Sequence, residues 1–83
     1  MSNLPPIGAV LRAKHDRQGA VFKEEFGLEA VEIIAGDIGL VESYASWTAL
    51  ESKLALVRLL RLGKVTGLTR GWRDLWEVVS CPR

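Results

Sequence analysis

The chain lacks most of what staples or decorates a small protein. Cys81 is its only cysteine, so no disulfide can form within it, and a reducing, cytoplasmic setting is expected. His15 is its only histidine, too few with one cysteine for a closed structural zinc site. No metal or other cofactor is expected. No apolar run approaches the roughly 18 residues of a membrane span. The opening stretch "MSNLPPIGAVLRAK" has no basic region ahead of its short apolar run, so no signal peptide is read. There is no Asn-x-Ser/Thr acceptor, tandem repeat or low-complexity tract.

Catalytic patterns are also missing. "LGKVT", Leu62 to Thr66, has the Gly-Lys of a phosphate-binding loop. It carries Val65 where Ser or Thr is required, and Arg58 where the first glycine should be. His15 has no nucleophile suggested beside it and reads as a solvated turn residue. Cys81, near Arg83, reads as an inert thiol. Glu24, Glu25, Glu29 and Glu32 read as an acidic rim on different faces rather than a convergent pair. No enzyme is expected.

What remains is a chain of 83 residues, 48% hydrophobic and 25% charged, which excludes disorder. One domain over 1–83 is expected, with 1–6 as an extended leader set by Pro5-Pro6. A chain this short buries only about 60–65% of its extended surface, which makes self-association a natural route to stability. The formal charge is +1 but uneven. Residues 1–45 hold four bases and seven acids (−3). Residues 46–83 hold seven bases and three acids (+4).

The sequence predicts an α+β fold, with an antiparallel sheet of four to five strands and one long helix on a face. Asp16-Arg17-Gln18-Gly19 has the chemistry of a turn closed by a left-handed glycine. It gives a first hairpin, with Arg12 opposite Glu24. Gly36-Asp37 suits the tight turn of a second hairpin. A helix over 24–34 is the rival reading there, opposed by Gly27 and the Val-Ile-Ile composition. Residues 46–62 carry the helix signature. Ser46, or Thr48 with Glu51, can cap the start, the middle is rich in Leu, Ala, Lys and Arg, and Gly63 follows the end. Val65 to Leu68 reads as a short strand. Residues 72–80 read as a strand from about 74 to 80, or as a short helix through Trp72, Leu75, Trp76 and Val79.

At 100° per residue the expected helix is apolar over about 220° with Leu59 included, while a sheet face takes about 100°. Leu50, Leu54 and Val57 are expected on the sheet, with Arg61 lying along apolar surface. Leu56, Leu59 and Leu60 are left for self-association as a homodimer. Of Trp47, Trp72 and Trp76, Trp72 is the candidate exposed anchor. With Arg58, Lys64, Arg70 and Arg73 it forms the expected partner-binding set. The expected function is a non-enzymatic protein-interaction module, a small accessory or inhibitor-like protein. The first alternative is nucleic-acid binding through 58–73, with Trp72 stacking on bases. The second is a small-ligand binder with a pocket between helix and sheet. No membrane association is expected.

Overall fold

In the computed structural model, which describes residues 4–23, 27–47 and 52–82, the chain forms one antiparallel sheet of seven strands. These are β1 (Val10–Ala13), β2 (Arg17–Phe22), β3 (Leu28–Ile33), β4 (Ile38–Trp47), β5 (Ser52–Leu59), β6 (Lys64–Leu68) and β7 (Trp76–Ser80). A 3₁₀ turn, Arg70–Asp74, leads into β7, and no α-helix occurs among the described residues.

The strand order is β3-β2-β6-β5-β4-β1-β7, which cannot lie flat. The short link from Ala13 to Arg17 reaches at most about 14 Å. Four strand spacings, about 19 Å, separate β1 from β2 in a flat sheet. The sheet therefore curls into an open barrel. Arg17 on β2 and Trp76 on β7 are five spacings apart in the order, about 24 Å if flat. Yet the guanidinium carbon lies 5.7 Å from the centre of the indole ring. β3 and β7 remain as the two edges.

Alternate residues turn inward, as a barrel wall requires. Leu11 and Ala13, Val21, Ile33, Val41, Ala55, Val57, Leu59 and Leu68 meet Trp72 and Trp76 in one core. Thr66 is buried among them and donates its hydroxyl to the Ala20 carbonyl at 2.6 Å, so its polar atom is satisfied. On the outer face, Leu54 and the Phe22 ring come together over Gly67, where no side chain intervenes.

The α+β expectation is overturned. The segment read as a helix over 46–62 is the end of β4 and all of β5 (residues 48–51 lie outside the described residues). β5 is paired on both sides, with β4 and β6. A strand in that position is apolar on both faces: Leu54 is buried and Leu56 half-buried on the outside, while Ala55, Val57 and Leu59 fill the barrel. An all-round apolar run therefore mimics a buried helix. The long-range pairing overrides the helix propensity of Leu, Ala, Lys and Arg. A pocket between helix and sheet is excluded with the helix.

The sheet has seven strands rather than four or five, and neither N-terminal hairpin forms. β1 pairs with β4 and β7, not with β2, and β3 pairs with β2, not with β4. Arg12 pairs with Glu77 instead of Glu24, which lies outside the described residues with Glu25. Gly19 is a strand residue opposite Val31, not a left-handed turn residue. Gly36 does take a positive φ of +94°, third in a turn that the Asp37 N–H closes on the Ile34 carbonyl at 2.9 Å. That turn links two strands that are not neighbours. Gly63, at +65°, closes the β5–β6 turn rather than a helix. The C-terminal segment divides into the 3₁₀ turn and then a strand from Trp76.

Candidate functional site

The candidate site is the β7 edge, and the ladder that holds β7 also determines what it exposes. Lys14 donates its N–H to the Leu75 carbonyl at 2.9 Å. Bonded and non-bonded pairs alternate along an antiparallel ladder. With Arg12 opposite Glu77 and Leu11 opposite Val78, the Glu77 backbone bonds to β1. Val78 then turns its N–H and C=O outward, to the open side. Its side chain is 40% exposed and that of Val79 51% exposed. Residues 78–82 carry no charge and are all exposed. Glu77 beside them is matched by Arg12, Nε to Oε1 at 2.6 Å. A register shift opposite Val10 places an extra residue, Val79, in β7, so the regular open run is short.

The β3 edge is guarded. It carries Glu29 and Glu32, and Arg61 donates to the outward Glu32 carbonyl at 2.8 Å. Charges and capped carbonyls are the usual protection of an edge strand, and an apolar edge without them is a template for another strand.

The expected partner-binding residues do not share one surface. Trp72 is 3% exposed and belongs to the core, with the Arg73 guanidinium 4.8 Å from its ring centre. Arg58 is held by Glu42 at 3.0 Å and donates to the Gly63 carbonyl at 3.2 Å. Lys64 is paired with Glu29, whose carboxyl it holds below the usual carboxylate range by hydrogen bonding and by its charge. Arg70 is exposed on the 3₁₀ turn. Of the expected self-association set, Leu59 lies in the core, Leu56 is half-buried and Leu60 is exposed on the β5–β6 turn. Arg61 binds Asp37 through two nitrogens, both at 2.8 Å. The side chain of Trp47 lies outside the described residues.

Arg58 and Lys64 line an open cleft of about 790 Å³ with Lys23, Glu29, Phe22 and Leu62. Both of those cations are already engaged by carboxylates, Glu42 and Glu29. Inside the barrel, Arg17 Nε and Trp76 Nε1 are buried without hydrogen-bond partners, and burial lowers the Arg17 pKa. No group of three potential metal ligands occurs among the described residues. No helix among them is long and apolar enough to cross a membrane. Sequence reading missed Val78 and Val79. Their signal was the β-branched pair in "WEVVS", which marks a strand but not an edge.

The fold and this edge define a small antiparallel β-protein with an open edge strand whose run from Val78 onward is uncharged. No family model, curated protein or solved structure matches the chain.

Proposed function

We propose that the protein is a non-enzymatic protein-interaction module that binds an extended segment of another polypeptide by strand addition along β7. The observation that carries this reading is the contrast between the edges. β3 carries Glu29 and Glu32 and has a capped carbonyl, whereas β7 is uncharged from Val78 onward and offers the outward backbone groups of Val78 with the exposed side chains of Val78 and Val79. Main-chain bonds would supply the pairing and the valines its apolar contact. The nucleic-acid alternative loses ground. Arg58, Arg61 and Lys64 face Glu42, Asp37 and Glu29, and Trp72 is not available for stacking. A cytoplasmic setting remains part of the proposal, supported by the lone exposed thiol of Cys81. Recovery of the native protein from a secreted fraction would overturn that placement.

The test uses a displayed library of short extended peptides against the wild type and Val78→Pro. Proline at 78 removes an outward N–H without removing a bond to β1. Peptides that bind the wild type and lose the variant support the reading. A library with no binders, or binders indifferent to the proline, overturns it.

A further inference from the structure

We infer that the strand accepted by β7 is β7 of a second copy, related by a two-fold axis through Val78. This rests on the reading of β7 as a pairing edge and names its partner. Val78, like Trp76 two residues before it, turns both its N–H and its C=O outward in the regular part of the strand, and of the two only Val78 has an exposed side chain. Two copies related there exchange both bonds, forming the bonded pair at the centre of a short antiparallel ladder. The interface is isologous, as a two-fold requires.

Charge selects this register. With the axis at Val78, position 77 lies opposite position 79 of the second copy. Each Glu77 then faces a valine, while its charge stays matched by its own Arg12. An axis at Glu77 would set two carboxylates opposite each other, which is unfavourable. The uncharged run 78–82 meets an identical run without repulsion. The extra residue at Val79 keeps the ladder short, so the dimer is a weak and reversible one.

The experiment is sedimentation velocity on the full chain from micromolar to millimolar concentration, with two variants at an exposed position. Wild type should shift from monomer to dimer as concentration rises. Val79→Lys places a cation opposite Glu77 of the second copy and should tighten the dimer. Val79→Glu places an anion there and should loosen it. Each change, acting at two symmetry-related pairs, should be about twofold to thirtyfold in Kd. A wild-type monomer throughout, or equal responses to Lys and Glu, overturns the self-pairing. A monomer that still binds peptides in a Val78-dependent way would sink this inference alone and leave the module reading standing. Failure of both experiments would remove both.

Discussion

Asp37 closes the turn that sends the chain from β3 across the barrel to β4. Its carboxylate accepts the Ile34 N–H at 2.9 Å and both Arg61 nitrogens, and its side chain is only 9% exposed. The Arg61 hydrogen bond, helped by the Ile34 N–H, holds its pKa below the ordinary carboxylate value against the opposing effect of burial. The stability it contributes is therefore complete above the pKa of the unfolded chain and lost as pH falls through the folded value. Asp37→Ala should cost about 2–3 kcal/mol near neutrality, measured by denaturant unfolding. Asp37→Asn should flatten the acid limb of stability against pH. An unchanged acid limb would show that the carboxylate does not carry that dependence. At Gly19 a Cβ would fall 2.5 Å from Ile33 Cδ1 in the core. Gly19→Ala should cost about 1–3 kcal/mol. Ile33→Val removes the obstructing methyl, so the double variant should be more stable than the sum of the two single effects. Strict additivity would place the cause elsewhere. The sequence singled out Gly19 for backbone freedom, but what the fold asks of it is space. No local pattern reveals that, because the obstructing residue lies on a different strand.

At the scale of the element, β5 shows what was legible and what was not. The strand character of β3, β6 and β7 could be read from β-branched residues and turn glycines. Which strands pair could not be read, because the pairing depends on contacts between residues far apart in the chain. Nor could the sequence show that "KLALVRLL" sits between two partners, the one fact that turns its composition from helical to extended. Leu59 and Leu60 separate the two readings. On a helix they are adjacent parts of one broad apolar arc. Here Leu59 is 1% exposed and Leu60 is 59% exposed. Leu59→Glu should cost about 3 kcal/mol or more, since it buries an unpaired charge. Leu60→Glu should stay within about 0.5 kcal/mol of wild type. Equal costs in thermal unfolding would contradict the strand. The candidate edge followed the same division. "WEVVS" announced a strand, but its position at the end of the sheet depends on pairing with β1.

For the whole molecule, charge is distributed differently from what the two halves of the sequence suggest. The acidic half and the basic half meet in three ion pairs within the chain, Glu42 with Arg58, Asp37 with Arg61 and Glu29 with Lys64. Five free cations on phosphates would give duplex-DNA affinity a salt slope of about −4 to −5 on log–log axes. With three of the basic residues between Arg58 and Arg73 matched, no measurable binding to generic DNA is expected at physiological salt. Fluorescence anisotropy with a labelled duplex checks this, and a steep salt slope would restore the nucleic-acid alternative.

The place of β1 between β4 and β7 has a consequence in time. Ala13 lies opposite Trp76, 76 − 13 = 63 positions later in the chain. Contacts of such long range put folding in the millisecond-to-second regime of non-local β-proteins, a rate that stopped-flow refolding would measure. On the ribosome the delay is longer. At about 5–20 residues per second, the partner of Ala13 is synthesised roughly 3–13 s after Ala13 itself. For those seconds the nascent chain carries "AVLRA" with one side unclaimed, and its most exposed moment comes before the barrel can curl shut.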